Sequence, residues 1–556
     1  MSKQQKQWEV RSERSFGEDF DGLIDVLLQN RHIETKEDRE MFLHPDLAQV
    51  TTKTVGVDQK QLKKALKRIR QAIEQQEQIV VFGDYDVDGV TGCTILWESL
   101  HGLKAKVMPY IPHRQEEGYG LSVKGIMNIQ KQLPETKLIV TVDNGIVANE
   151  AVVFANEQGI EVIITDHHVA SDILPEAFAI VHTTQLCGAG VAYLFMQELK
   201  QASLPDPSLL ELAALGTVAD LVPLTLANRV IVSAGITQLR QTKRIGLLAL
   251  FRVAGIQKDE LGVYAIGYQI GPRLNAAGRI DSAMESLRLL CTKNKARAEA
   301  LATKLELLNR ERQQLLKESS DHAVAIVEKL SLHEKKILII GHETYAEGVI
   351  GLVAGRLVEA FYRPAIVLSL GKERSKASVR SVRGFDIIAF LREHSERFIN
   401  VGGHPMAAGF TIETETLADL QQTLEAHADE AVTDDVLIRA LSIDCELPFS
   451  ALTRELYQSL QSLAPFGMGN PEPVFMTKGV IVQSIRAIGK DATHLKLKLK
   501  QKGSDSFDAI AFGFGELISD IAVGDAIAVA YVLDENTWNG ETTLQLKVRD
   551  IQKSSS

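Results

Sequence analysis

Cysteine is scarce in this chain, and Cys93, Cys187, Cys291 and Cys445 stand far apart with no Cys-x-x-Cys among them. That spacing argues against a zinc ribbon or a disulfide framework and predicts free thiols in a reducing cytoplasm. Long apolar runs are missing too, and none approaches bilayer-spanning length. The polar start Met1-Ser2-Lys3-Gln4-Gln5-Lys6 lacks the apolar core of a secretory signal, so a cytoplasmic protein is expected. Positive charge is short: 61 Lys and Arg face 72 Asp and Glu, for a net charge of -11. At first this opposes a nucleic-acid partner. Net charge says little about local fields, however, and acidic residues gathered around bound metals would make the bare count misleading.

Glycine and proline are both absent from Arg279 to Ile340, and within that stretch Lys295–Leu330 is rich in Ala, Leu, Glu, Lys, Arg and Gln. This composition predicts a single helix. It would run roughly 50 Å, enough to bridge two domains. Its apolar positions keep no strict heptad, which weighs against a coiled coil. No internal repeat is visible.

What is present is a soluble globular composition, 45% hydrophobic and 24% charged, over 556 residues, too many for one ordinary core. From about residue 60 to 225, helical segments alternate with short apolar strands at Ile79–Phe82, Lys106–Pro109, Leu138–Val142 and Glu161–Thr165. The pattern predicts an α/β domain with a largely parallel sheet. A second α/β domain opens with a strand at Lys336–Ile340, a helix at Gly348–Phe361 and a strand at Ala365–Leu370. The end is strand-rich, at Val480–Ile488, His494–Lys500, Asp508–Phe512, Ala526–Tyr531 and Thr543–Val548, and predicts a small β-barrel.

Chemistry concentrates at Gly83-Asp84-Tyr85-Asp86-Val87-Asp88-Gly89, directly after the first strand. Carboxylates at alternate positions repel one another unless a cation neutralises them, and a hard divalent metal suits oxygen ligands. A calcium loop of the EF-hand kind is excluded: its twelfth position needs Glu, and here it is Ile95 after a strand instead of a helix. Acidic residues recur at the ends of other elements: Asp143-Asn144-Gly145, Asp166-His167-His168 and Ala219-Asp220-Leu221-Val222-Pro223. Singly, the Asn-Gly pair reads as a turn and Asp220 as a helix cap. Together they converge where an open parallel sheet collects its ligands. Asp with His and no thiolate suits Mn²⁺ and tolerates Mg²⁺. Two such ions would clamp a phosphoryl centre and acidify a water, so that no Ser or Cys nucleophile is needed.

These four motifs resemble those of the DHH phosphoesterase superfamily. More narrowly, the chain is similar to the RecJ family of bacterial exonucleases, which degrade single-stranded DNA from its 5′ end. Glu117-Gly118-Tyr119-Gly120-Leu121, Gly271-Pro272-Arg273-Leu274-Asn275-Ala276-Ala277-Gly278-Arg279 and Gly402-Gly403-His404 extend the similarity over residues 50–550. The resemblance implies a DHH-type parallel-sheet catalytic domain over 56–290 behind an N-terminal extension of 1–55. A long helix over 291–332, a DHHA1 domain over 333–435 and an OB-fold over 436–556 would follow.

It also implies a metal-dependent 5′→3′ exonuclease releasing 5′-mononucleotides, active in recombination and repair. Asp84, Asp86, Asp143, His167 and Asp220 would ligate two Mn²⁺ or Mg²⁺ ions. Asp86 is at the catalytic centre, His168 holds the scissile phosphate or assists proton transfer, and Asp88 supports the loop. Small-substrate members place a ligand histidine where this chain has Val80, which would leave one metal more weakly held or differently ligated. Arg114, Arg273, Asn275, Arg279, Ser378, Arg380 and His404 would line the 5′-phosphate pocket and the DNA path. Val379 departs from the family's small residue between Ser378 and Arg380.

The stretch His494–Lys500 alternates Leu inward and Lys outward, which is either edge protection or a groove for the strand, with Phe512, Phe514 or Trp538 stacking on bases. A narrow passage between the two α/β domains would select single strands. A monomer, recruited by a helicase and a single-strand-binding protein and nucleoid-associated through DNA, is expected. The rivals are a DHH phosphodiesterase for small nucleotides or nanoRNA, and a non-catalytic single-strand-binding scaffold.

Overall fold

The computed structural model describes residues 6–14, 16, 19–113, 117–201, 206–538 and 540–553. The chain divides into two compact units, one of 31–310 with 461–472, the other of 1–30, 311–460 and 473–556. The extension expected as one piece over 1–55 is therefore shared between them.

In the first unit five parallel strands stand in the order Val107–Tyr110, Gln78–Gly83, Thr136–Val142, Glu161–Asp166, Ala179–His182. Their near-continuous apolar runs follow from burial on both faces. Ile79 and Val81 face one core, while Val80 and Phe82 face another with Leu121 and Ile139. Val80 is thus an apolar packing residue in the sheet. Helices Val87–Gly102, Gly188–Lys200, Pro207–Ala219 and Leu226–Arg240 supply most of the larger core.

A buried arginine closes this unit. Arg229 donates Nε to the Phe42 carbonyl at 2.7 Å, Nη1 to that of Leu463 at 2.8 Å, and Nη2 to those of Ser462 and Ala464 at 3.0 and 2.7 Å. Its guanidinium also lies 3.9 Å from the centroid of the Phe42 ring. Burial, then the neighbouring Arg31, pulls its pKa down to about 10. Arg31 in turn donates to Asn470 Oδ1 at 2.8 Å and to the Pro471 carbonyl at 2.7 Å. Segment 461–472 is fastened by these two side chains.

The second unit holds two sheets. One runs Asn400–His404, Ala407–Glu413, Arg374–Arg380, Ala365–Ser369, Leu338–His342, with helix Ile350–Phe361 against it. The other closes five strands, Phe475–Ile488, His494–Gln501, Ser506–Ala511, Glu541–Lys553 and Ala526–Trp538, into the expected barrel, since the first also pairs with the last. Leu495, Leu497 and Leu499 point inside, as the alternation predicts. Phe512 and Trp538 are exposed, but Phe514 is buried and offers no ring to a base.

Two further strands extend that sheet. Ala440–Glu446 pairs with the barrel, and Gln7–Ser12 pairs with Ala440–Glu446 in parallel. The long helix runs Lys295–Lys329 without interruption across the border between the units. Among the described residues no helix is long and apolar enough to cross a membrane.

Candidate metal centre

Three adjacent strands of the parallel sheet, 78–83, 136–142 and 161–166, deliver the acidic motifs at their carboxyl ends. The first loop turns back so sharply that a β-carbon at Gly89 would lie 2.5 Å from the Asp84 nitrogen, which only glycine tolerates. Asp86 caps the helix that follows, its Oδ1 accepting from the Gly89 N–H at 3.1 Å. Asp143 takes the left-handed conformation, φ 62°, uncommon for a residue with a β-carbon. Asp220 ends helix Pro207–Ala219 as its C-cap.

The donor atoms gather as Asp84–Asp86–Asp143, Asp143–His167–His168 and Asp88–His167–Asp220, in each set within 4.8 Å of one another. His167 Nε2 lies 3.0 Å from Asp143 Oδ1, 3.6 Å from Asp220 Oδ2 and 3.8 Å from Asp88 Oδ2. His167 Nε2 and Asp143 Oδ1 are buried, and neither makes a hydrogen bond among the described residues.

The electrostatics agree with this geometry. Burial, then the Asp88, Asp86 and Asp84 charges, pushes the Asp143 carboxyl well above the usual range, and burial with Asp88 and Asp86 pushes Asp220 up to about 9. Burial and Asp88 likewise raise Asp86. His167 is lowered by burial, which keeps its ring neutral and its lone pair free. Orphaned acceptors, a neutral imidazole and crowded carboxylates are what a hard divalent cation satisfies, and the donor set fits one.

The supporting residues are equally specific. Asp88 is buried and accepts the Gly188 N–H at 2.6 Å and the Ala189 N–H at 2.8 Å, which ties the loop to the start of helix Gly188–Lys200. Asp166, which the sequence reading left without a role, orients the second histidine. It accepts from the backbone N–H of Ile146 at 2.9 Å and of His167 at 2.7 Å, and its Oδ1 lies 2.8 Å from His168 Nδ1. Burial alone would suppress the charge on His168, but the Asp166 hydrogen bond and charge outweigh it and raise the pKa. On its other side, His168 Nε2 meets the Tyr119 hydroxyl at 3.1 Å. Asn144 Oδ1 accepts the Leu121 N–H at 3.1 Å, which holds that tyrosine's loop against the strand end. The Asp-His-His and Glu-Gly-Tyr-Gly strings flagged these positions, but not their partners.

The expected substrate residues are placed unequally. Asn275 Oδ1 accepts the Val87 N–H at 3.0 Å, so this side chain supports the metal loop. A β-carbon at Gly278 would fall 2.4 Å from the Tyr85 carbonyl oxygen, so helix Gly271–Ile280 lies hard against the same loop. Arg273 is engaged by Glu306 Oε2 and the Gln269 carbonyl, both at 2.7 Å, an arrangement that holds helices together. Arg279 is half-buried near the end of that helix. Arg114 lies outside the described residues.

In the second unit Ser378 and Arg380 share one face of strand Arg374–Arg380, while Val379 points into the opposite core, so its bulk does not obstruct them. Arg380 donates to the Val379 carbonyl at 2.8 Å and to Ser378 Oγ at 3.4 Å, with no carboxylate partner among the described residues. Burial lowers its pKa. It lies against Gly351 in the first turn of helix Ile350–Phe361, which has no side-chain cap. His404 is exposed at the end of Asn400–His404.

Comparison with known proteins follows the same layout. Residues 78–217 match the DHH family, N-terminal domain; 331–430 match the DHHA1 domain; and 443–550 match the RecJ OB domain. The chain is 38% identical over 543 residues to the single-stranded-DNA-specific exonuclease RecJ of Bacillus subtilis, covering 96% of this chain and 68% of that protein. It is 33% identical over 528 residues to the protein of the same name from Escherichia coli, covering 88% and 90%. The crystal structure of RecJ from Thermus thermophilus in complex with Mn²⁺ superposes with a TM-score of 0.81 at 29% identity, covering 99% of this chain and 80% of that one. The Mg²⁺ complex from the same organism gives 0.75 at 28% identity, with 99% and 79% covered. Three domains matched in order, at this identity and coverage, show that the chain belongs to the RecJ family.

Proposed function

We propose that this chain is a divalent-metal-dependent exonuclease that degrades single-stranded DNA from the 5′ end to 5′-mononucleotides, in recombination and repair. The observation that carries it is that buried Asp143 Oδ1 and His167 Nε2, in the midst of Asp84, Asp86, Asp88 and Asp220, have no hydrogen-bond partner among the described residues. Asp84, Asp86 and Asp143 would hold one Mn²⁺ or Mg²⁺ ion, and Asp143, His167 and Asp220 a second. The ions supply Lewis acidity at the phosphate and an acidified water.

The remaining work falls to protein groups. Asp166 fixes His168 so that Nε2 is turned away from it and toward the Tyr119 hydroxyl, and a phosphate oxygen would take that hydroxyl's place on Nε2 or share it. Asp88 and Asn275 hold the aspartate loop in register. Arg380 with Ser378 in the second unit would take a phosphate of the strand, and Arg279 in the first unit would take another, because a guanidinium fork pairs with phosphate oxygens. His404 would approach the strand beside Gly402 and Gly403, and the exposed Lys498 and Lys500 of the barrel would track its backbone.

Product analysis tests the reading. With Mn²⁺ added, the chain should release 5′-mononucleotides from end-labelled single strands and none when the ion is chelated. Initial release from the 3′ end would overturn the polarity. Asp86→Asn, which keeps an oxygen for the Gly89 cap but removes the charge, should abolish cleavage and leave strand binding in place. Full activity in that variant would overturn the ligand assignment.

A further inference from the structure

Tyr264 and Tyr268 are 69% and 72% exposed, and they stack on each other with centroids 4.9 Å apart and planes at 24°. Neither phenol has a hydrogen-bond partner among the described residues. Tyr268 lies in, and Tyr264 directly precedes, a π-helical turn, Ala265–Ile270, anchored by buried Ala265, Ile266 and Ile270, a rare geometry that recurs at functional sites.

Its position is informative in both directions along the unit. A β-carbon at Gly271 would lie 3.7 Å from the Ala219 β-carbon, and one at Gly267 would lie 4.0 Å from Val218 Cγ1. The turn therefore runs beside the end of the helix that delivers Asp220. On the other side, Val263 Cγ1 would lie 3.4 Å from a β-carbon at Gly467, and the Leu224 N–H bonds the Met468 carbonyl at 2.7 Å. Segment 461–472 continues into the first barrel strand. The turn that carries the tyrosines is thus packed on one side by the end of the Asp220 helix and adjoins, through Val263, segment 461–472 on the other.

We propose that Tyr264 and Tyr268 form a stacking platform for bases of the single strand that the metal centre consumes, an inference that rests on the nuclease reading above. Stacking suits a chain with net charge -11, because it holds a strand through its bases, without requiring positive surface. Every base offers a π-face, so the platform tolerates any sequence, as an exonuclease requires.

The test is binding of a long 5′-phosphorylated oligothymidylate to the full chain with divalent ions chelated, followed by fluorescence anisotropy. Tyr264→Leu/Tyr268→Leu should raise Kd roughly five- to a hundredfold, the range set by loss of one stacked base. Tyr264→Phe/Tyr268→Phe should bind as the parent does. Stacking releases no counterions, so the ratio of Leu-variant to parent Kd should be the same at low and high salt. On a strand of abasic sites, parent and Leu variant should converge. Equal affinity of parent and Leu variant on the normal strand, or a loss that persists on the abasic strand, overturns the platform. Failure of the parent to bind or degrade any single strand would instead overturn the nuclease reading.

Discussion

Both oxygens of Asp166 are committed, one to the Ile146 N–H and the other to His167, His168 and the His168 imidazole. Replacing it by Asn leaves an acceptor oxygen but removes the charge that raises the His168 pKa, and lets the ring take another tautomer or turn. Asp166→Asn should therefore lower kcat by about 10²-fold or more while KM for the strand changes little. Single-turnover kinetics would check this, and unchanged kcat would show that His168 needs no orienting carboxylate. The gathering of Asp84, Asp86, Asp143, His167 and Asp220 was legible in the sequence because each sits at the boundary of a regular element, where position alone aims it at the sheet's carboxyl edge. Asp166 was legible as a motif letter only. Its partner Ile146, and the Tyr119 hydroxyl on the far side of the His168 ring, come from loops whose course no local pattern reveals. Arg273 shows the converse: a basic residue in a recognised motif reads as phosphate-seeking, yet Glu306, on a helix 33 residues on, engages it.

At the level of elements, periodicity located nearly every strand of the parallel sheet within two residues, since buried strands carry continuous β-branched runs between turn signals. The long helix was legible from what it lacks. Segment Gln7–Ser12 was not assigned, although Trp8 and Val10 alternate with polar neighbours, because its partner strand lies more than 430 residues away. Trp8 donates its indole N–H to Asp550 at 2.7 Å and packs near Ile443 and Met476. Trp8→Ala should cost about 2–3 kcal/mol, from the lost bond to a carboxylate and the lost apolar contact, and Trp8→Phe about half of that. Urea denaturation of the full chain would measure both, and an unchanged midpoint would show that the strand adds nothing to the sheet. The case of Val379 is instructive in the same way: a bulky residue inside a motif looks obstructive on paper, but strand alternation turns it to the other face.

For the whole molecule, the excess of negative charge is partly a property of an ion-binding centre and not a barrier to DNA. Crowded carboxylates oppose folding until a cation neutralises them, so Mn²⁺ should raise Tm, with a gain of about 2.7 kcal/mol at a hundredfold above Kd. Differential scanning calorimetry with and without chelator would check it, and Asp143→Asn should shrink the shift. Domain order was legible from motifs, while the compact units are assembled from non-contiguous pieces that no local pattern announces. Arg229 gives this a consequence in time. During synthesis its side chain emerges more than 230 residues before the carbonyls of 462–464 that receive it. Until the ribosome has passed residue 472, the catalytic unit carries a cation with unmet donors in a core that would otherwise be finished. A nascent chain, or a fragment ending at residue 310, should therefore hold this unit in an unfinished state, so that the nuclease becomes whole only when its barrel is about to be made.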